Sequence, residues 1–517
     1  MDQGHDPQPL AEFGSITDLI RRHAVSAPQR SALIEGQRRL DYGTLDILLD
    51  RVAAALQRDG LQTGDAIAIS AAVSIEYAAV FLGALRAGVV VAPLAPGSTA
   101  QSLASMTSDA QAKILFTDAA SATVLGSTDL GGTARVALDG SAVGRALNDW
   151  LAPPAQRPAP VQIEPQSPFN IIYSSGTTGQ PKGIVQSHGM RWAQVRRVQI
   201  YRYGPDTVTL LSTPLYSNTT LVVFFPALSF GGTVVLMPKF NAVEYLHLAQ
   251  RHRATHAMLV PVQYQRLMAQ PDFDAFDLSS FQIKFSTSAP FAAALKADVL
   301  RRWPGGLVEI YGMTEGGGTC ILEAQLHPTK LHTVGKPVAG HDIRLIDDSA
   351  VELPPGEAGE VVGHSPGMMI GYHRQPAKTR EAEWFDKTGK RFIRTGDIGR
   401  FDSDGFLTLI DRKKDMIISG GFNIYPSDLE AVLREHAAVA EVAVVGVASE
   451  QWGETPVAFV VRKPGHATGS DELLQWANQR VGKTQRLAQL HFLDELPRSA
   501  IGKVLKRELQ GSHPGTR

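Results

Sequence analysis

Short β-branched runs alternate with helical patterns along most of this chain, and that alternation narrows the fold more than any other feature. "AIAIS" (66–70) and "VVVAPLAP" (89–96) flank the helical pattern "IEYAAVFLGALRAG" (75–88). Similar runs recur in "KILFTD", "FNIIYSS", "THAMLVP", "IKFSTS" and "LVEIYG". Strand and helix in alternation predict an α/β fold with a largely parallel sheet. Before it, residues 15–60 predict helix, a strand pair around "SALIEGQRRLDYGTL", and helix. A Pro-rich link, "LAPPAQRPAPVQIEPQSP", joins two subregions. From about 335 to 410 Gly-bounded short strands predict a β-rich unit. After the charge cluster "DRKKD" (411–415) a compact α+β pattern follows.

A chain of 517 residues exceeds one hydrophobic core, so several domains are expected. The boundaries read as 1–413, a large N-terminal region of α/β sheets plus the β-rich subdomain, and 414–517, a small mobile α+β domain. A crevice between two such parts is where catalysis is expected. With 44% hydrophobic and 20% charged residues the composition is that of an ordinary globular protein. Fifty basic against 51 acidic residues leave no global field for nucleic acid or an anionic membrane. The one cysteine, Cys320, excludes an intramolecular disulfide, and a reducing cytoplasmic setting is expected. No charge occurs between Asp206 and Lys239, but Pro214, Pro226, Gly231 and Gly232 interrupt that run. It reads as buried strand, loop, helix and strand, and no transmembrane segment or signal peptide is expected.

Chemistry first shows in "YSSGTTGQPKG" (173–183). Hydroxyls of Ser174, Ser175, Thr177 and Thr178 and the backbone amides of Gly176 and Gly179 can converge on an anion. Lys182 adds a point charge. The NTPase pattern Gly-x-x-x-x-Gly-Lys-Ser/Thr is missing, and "GIVQSH" after the lysine predicts a strand. The segment therefore reads as a phosphate loop between two strands. Further on, "YGMTE" (311–315) sits at a strand end, where α/β sheets hold ligands. "RTGD" (394–397), "DRKKDMIISGGFNIYP" (411–426) and "PRSAIGK" (497–503) complete the set.

In this order, and with "LGALRAGVVVAPLAP" (82–96), these stretches resemble the adenylate-forming superfamily of acyl-CoA synthetases, peptide-synthetase adenylation domains and firefly luciferase. The resemblance runs from about residue 15 to 510 and is nearest to a bacterial-type acyl- or aryl-CoA ligase. It implies ATP, Mg²⁺ and CoA as cofactor and cosubstrates, and a small carboxylic acid as substrate. Ser174 to Lys182 would hold the β- and γ-phosphates. Ser288, Ala289 and Pro290 would lie against adenine, with Ser288 where the family more often has glycine. Tyr311, followed by Gly312 and Met313, would stack on the base. Thr314 would meet the α-phosphate and Glu315 the Mg²⁺. Asp397 and Arg412 would bind the ribose, and Lys503 would bridge the carboxylate and the α-phosphate. Lys414 stands at the hinge.

The resemblance also implies an acyl pocket walled by "PLYSNTTL" (214–221), with Tyr216, Ser217 and Asn218, and floored by Gly316, Gly317 and Gly318. Those glycines serve a backbone turn equally well. Many aryl-CoA ligases carry a histidine after the aromatic residue here; this chain has Ser217 and Asn218. An amino acid would need an acidic partner in this segment for its ammonium, and none is present. Gly420, Gly421 and Trp452 match a pantetheine tunnel. Lys483 and Arg486 would meet CoA phosphates, although a solvated helix end explains that pair as well. The expected activity is ATP-dependent synthesis of an aromatic, alicyclic or medium-chain acyl-CoA by way of an acyl-adenylate. A ligase loading a carrier protein is the alternative. A phosphate-loop kinase or a non-catalytic nucleotide module is the reading from another class, and AMP with pyrophosphate rather than ADP as products separates it. A homodimer remains open.

Overall fold

The computed structural model describes residues 10–174, 182–419, 422–449, 451–499 and 502–512. The fold is α/β, with a large N-terminal part and a smaller C-terminal part. The chain divides into two compact units. One holds the residues up to Leu331 with Pro337–Asp342 and His364–Ile393. The other holds His332–Lys336, Ile343–Gly363 and the chain from Arg394 onward. The expected boundary at 413/414 falls inside this second unit.

The first unit is built on two sheets. In one, strands Gly306–Tyr311, Ile283–Ser286, His256–Leu259, Val208–Leu211, Thr233–Leu236 and Ser31–Glu35 lie side by side, all parallel. Antiparallel strands Cys320–Glu323 and Arg38–Asp41 flank that run. In the other, of eight strands, Ala66–Ser70 pairs in parallel with Val90–Pro93 and Ala112–Thr117. Its far side carries the antiparallel pair Pro168–Ser174 and Lys182–Ser187. The central strands are buried along their length, as parallel strands covered on both faces must be.

Helices fill the space around these sheets. Tyr42–Arg58 and Ile75–Arg86 carry N-caps from Asp41 and Ser74, whose side chains accept from Thr44 N and Tyr77 N. Ile75–Arg86 is buried all round, so its sequence is apolar without a polar face. Gly83 explains the small residue in that signature: a Cβ there would lie 2.5 Å from Val52 Cβ, so the two helices could not approach. The uncharged run after Asp206 folds as strand Val208–Leu211, helix Asn218–Ser229 and strand Thr233–Leu236. Among the described residues no helix is long and apolar enough to cross a membrane.

In the second unit, Leu407–Arg412 pairs antiparallel with the 397–401 part of strand Arg391–Phe401. The C-terminal portion is a sheet in which Gly453–Arg462 pairs with Val439–Ser449, Ile417–Ser419 and, in parallel, Gln489–Leu493. Helices Pro426–Arg434 and Ser470–Asn478 bury Leu429, Leu433 and Leu473 against Val442, Val444 and Val460. This portion has its own apolar core, which lets it behave as a domain.

Candidate active site

The phosphate-loop candidate begins and ends on paired strands. Ser174 stands opposite Lys182 and Tyr173 opposite Gly183, so the chain leaves and re-enters the sheet at one place. Ser175, Gly176, Thr177, Thr178 and Gly179 lie outside the described residues, as do Gly420 and Gly421. Lys182 Nζ sits over the Tyr372 ring, 5.1 Å from its centroid. An ammonium over an aromatic face is held by the ring quadrupole. Tyr372 in turn donates its hydroxyl to Glu315 Oε1 at 2.9 Å. Burial, and then the Glu315 charge, push the Tyr372 phenol well above its ordinary pKa, so it stays a donor. Lys182 and Glu315 are 133 positions apart in sequence, and one tyrosine between them brings both to the same place.

The "YGMTE" stretch leaves the strand Gly306–Tyr311, where Tyr311 pairs with Cys320. Thr314 is fixed through its backbone: Gln186 Nε2 donates to its carbonyl at 2.7 Å. Gly316 is needed for the turn that follows. Its φ is +78°, and a Cβ there would stand 1.9 Å from the Gly367 carbonyl oxygen. No side chain fits such an approach. The turn is tied down by Ser365 Oγ, which donates to the Gly316 carbonyl at 2.8 Å, and by Met369 N, which donates to the Glu315 carbonyl at 2.8 Å. Gly317 and Gly318 are buried.

Ser288 has φ +80°, a left-handed conformation unusual for a residue with a side chain. A glycine there would bear no strain, so the departure from glycine needs a compensation. The structure supplies one in a hydroxyl bridge of 2.6 Å between Ser288 Oγ and Thr219 Oγ1. Thr219 belongs to the first turn of Asn218–Ser229, which Ser217 caps. The bridge therefore joins the Ser288-Ala289-Pro290 segment to the "PLYSNTTL" segment. Burial pushes the Tyr216 phenol up to about 12, so it is neutral at ordinary pH.

Beneath these residues lies Arg191, only 1% exposed. Nε and Nη2 donate to Asn170 Oδ1 at 3.1 and 3.0 Å, and Nη2 also reaches Gln186 Oε1. Nη1 donates to Gln194 Oε1 at 2.9 Å and to Asn218 Oδ1 at 2.8 Å. Its carbon centre sits 5.7 Å from the Phe169 and Phe225 ring centroids. No carboxylate pairs with it among the described residues, and burial brings its pKa down to about 9. Amide oxygens carry its five donors instead.

In the second unit, Asp397 and Arg412 are register partners, and Arg412 Nε lies 3.0 Å from Asp397 Oδ1. Asp397 N takes its hydrogen bond to Thr395 Oγ1 at 3.0 Å. Lys414 lies in the single turn Lys413–Asp415. Lys503 is held to Ser499 by two hydrogen bonds: Ser499 N donates to its carbonyl at 2.8 Å, and its own N–H reaches Ser499 Oγ at 3.2 Å. Lys503 is exposed as a residue, yet packing around its ammonium and then the Arg412 charge take its pKa down to about 8. Lys414 acts in the same direction, while Asp397 and Asp415 oppose it. Trp452, Lys483 and Arg486 are exposed.

The residues that sequence reading did not pick out are Tyr372, Gln186, Arg191 and Thr219. Thr219 lies within "PLYSNTTL" but was not singled out there, and the other three sit in no motif with a chemical signature. "GY" and "MRW" are ordinary dipeptides and tripeptides until the fold brings them to Glu315 and Asn218.

Residues 20–373 match the family model described as AMP-binding enzyme. The chain belongs to the AMP-binding enzymes. Residues 428–503 match the C-terminal domain of the same enzymes. Among the relatives of this AMP-binding enzyme is the indoleacetate–CoA ligase of Aromatoleum aromaticum, 33% identical over 96% of this chain and 97% of the relative. Another is the fatty acid–[acyl-carrier-protein] ligase ScoC of Streptomyces coeruleorubidus, 30% identical over 99% and 98%. The solved structure of ATP-bound MatB from Rhodopseudomonas palustris superimposes with a TM-score of 0.85 at 29% identity, covering 96% of this chain and 99% of that one. The AMP-binding enzyme described here is an adenylate-forming, ATP-dependent acid–thiol ligase, of the acyl-CoA ligase kind in general terms.

Proposed function

We propose that the enzyme activates an aromatic, alicyclic or medium-chain carboxylic acid to its acyl-adenylate, releases pyrophosphate, and passes the acyl group to CoA. The observation that carries this reading is that one tyrosine, Tyr372, meets Lys182 on its ring and Glu315 at its hydroxyl, beside the end of the strand pair. A cation for phosphate and a carboxylate for a metal then face the same nucleotide. A carboxylate attacking an anionic phosphorus needs charge neutralisation and alignment above all. Lys182 and the 174–182 loop would hold the β- and γ-phosphates, and the Thr314 hydroxyl the α-phosphate. Tyr311, with Gly312, Met313 and Ser288 to Pro290, would receive adenine, and Asp397 with Arg412 the ribose.

Mg²⁺ fits this donor set. Glu315 Oε1 is occupied by Tyr372, and Oε2 has no partner among the described residues. Among those residues no group of three or more His, Cys, Asp or Glu forms a cage. One carboxylate completed by substrate phosphates is how Mg²⁺ is commonly held. Bound there by Glu315, it would supply charge neutralisation at the phosphates.

Lys503 would bridge the carboxylate and the α-phosphate during adenylation. The small C-terminal domain would then turn about Lys414, and Gly420, Gly421, Trp452, Lys483 and Arg486 would serve CoA. The acid would lie along Tyr216, Ser217 and Asn218 with Gly317 and Gly318 beneath. The ScoC relative keeps one second reading in view, a carrier protein in place of CoA. CoA-dependent pyrophosphate and AMP release, measured over aryl, cyclic and straight-chain acids, tests the proposal. ADP as product, or acyl transfer to a carrier protein but never to CoA, would overturn it.

A further inference from the structure

Among the described residues, Asn218 has one end of its amide fixed and no partner at the other. Its Oδ1 accepts from Arg191 Nη1 at 2.8 Å and lies 3.4 Å from Gln186 Nε2. Both neighbours are donors only. A guanidinium has no acceptor, and Gln186 cannot turn over, because its Oε1 already accepts from Arg191 and from Asn170 Nδ2 at 3.1 Å. Reversing the Asn218 amide would set N–H against N–H, so its orientation is decided by Arg191. The Nδ2 end has no partner among the described residues, and the residue is half-buried. Gln186 Nε2, the donor 3.4 Å from Asn218 Oδ1, also donates to the Thr314 carbonyl at 2.7 Å. The helix does not use this amide as a cap, since Ser217 Oγ meets Thr219 N.

A neutral amide whose oxygen is held by a buried guanidinium is polarised, and its N–H becomes a stronger donor. We propose that Asn218 offers this Nδ2 donor to the acid and selects acids bearing a neutral oxygen acceptor (carbonyl, ether or hydroxyl) over hydrocarbon acids of the same shape. The inference rests on the acid-activating reading, with "PLYSNTTL" beside the acyl group. Arg191 adds a second condition. Its charge has no carboxylate partner among the described residues, so an acid with an ammonium group in this region is disfavoured. A donor left unmatched on desolvation loses more than a matched one gains, which makes the choice a sharp one.

The test uses the full-length enzyme and pairs of acids differing in one group, methoxy against ethyl and acetyl against isopropyl on aryl acids, and oxo against methylene in a straight chain. The readout is kcat/KM for pyrophosphate release. The wild-type enzyme should favour the oxygen-bearing member of at least one pair by about tenfold or more. Asn218→Asp keeps an oxygen on Arg191 and turns the free donor into an acceptor. It should abolish that preference and raise turnover of the aryl acid that carries an aminomethyl group in place of the methoxy, with the melting temperature unchanged or higher. No preference in the wild-type enzyme, or the same preference in Asn218→Asp, overturns the inference while leaving the ligase reading intact. No acid-dependent pyrophosphate release from any pair overturns both.

Discussion

Ser288 Oγ and Thr219 Oγ1 lie 2.6 Å apart, a bridge between a left-handed backbone position and the first turn of Asn218–Ser229. A non-glycine residue in such a conformation costs roughly 1–3 kcal/mol and persists only where its surroundings hold it. The bridge is that hold. Thr219→Val keeps the shape and removes the hydroxyl, so it should cost about 1 kcal/mol in stability. Under the proposed placement of adenine it should also raise KM for ATP severalfold. Ser288→Gly relieves the strain, and in that background Thr219→Val should cost clearly less. Equal costs in both backgrounds, measured by denaturant unfolding, would show that the bridge does not hold Ser288.

How much of this was legible beforehand depends on range. The strand and helix segments are set by neighbouring residues and their periods, so "AIAIS" read correctly as a strand, "IEYAAVFLGALRAG" as a helix, and the uncharged run after Asp206 as strand, helix and strand. The strand pair around the phosphate loop was legible for the same reason, since a β-branched run follows Lys182. The departure at Ser288 was visible as a residue, but the Thr219 hydroxyl that permits it is 69 positions away. Tyr372 is 57 positions from Glu315, and the Gln186 contact to Thr314 spans 128. Such contacts depend on which strands become neighbours. Local pattern carries no record of that.

Tyr372 offers a test of the metal assignment that leaves the carboxylate in place. Tyr372→Phe keeps the ring beneath Lys182 and removes the hydroxyl on Glu315 Oε1. A carboxylate relieved of that orienting bond should hold Mg²⁺ less well, so the Mg²⁺ concentration for half-maximal adenylation should rise several-fold. Glu315→Gln should lower adenylation by orders of magnitude with circular dichroism unchanged. Near-wild-type turnover of Glu315→Gln at ordinary Mg²⁺ would remove Glu315 from the metal.

The three glycines after Glu315 should part company under mutation. Gly316→Ala adds a Cβ onto the Gly367 carbonyl at a positive φ, so it should destabilise the protein by at least about 2 kcal/mol for every substrate alike. Gly317→Leu should raise KM for the bulkiest accepted acid more than for a short one, because added methylenes overpack a fixed space. Equal KM changes for all acids would place Gly317 with Gly316 as a backbone residue.

Lys503 joins pH dependence to the order of the two half-reactions. Its ammonium is held down to about 8 by packing and by Arg412 and Lys414. A lysine is cationic below its pKa, so the form that can offset repulsion between carboxylate and α-phosphate is lost as pH rises through about 8. Adenylation in single turnover should fall above that pH in the wild-type enzyme. Lys503→Ala should lose about 10²–10³ in adenylation rate, as removal of one preorganised charge contact does, and should lose the alkaline limb attributed to Lys503 as well. Thioester formation from a supplied acyl-adenylate should stay nearly intact. Lys414→Pro should do the reverse, because proline fixes φ at the residue proposed to absorb the domain rotation. It should make adenylate and transfer it slowly to CoA. The two variants therefore separate a charge requirement from a hinge requirement. Equal slowing of both steps by Lys503→Ala would mean that one arrangement of the domains serves the whole reaction, and the alternation about Lys414 would have to be abandoned.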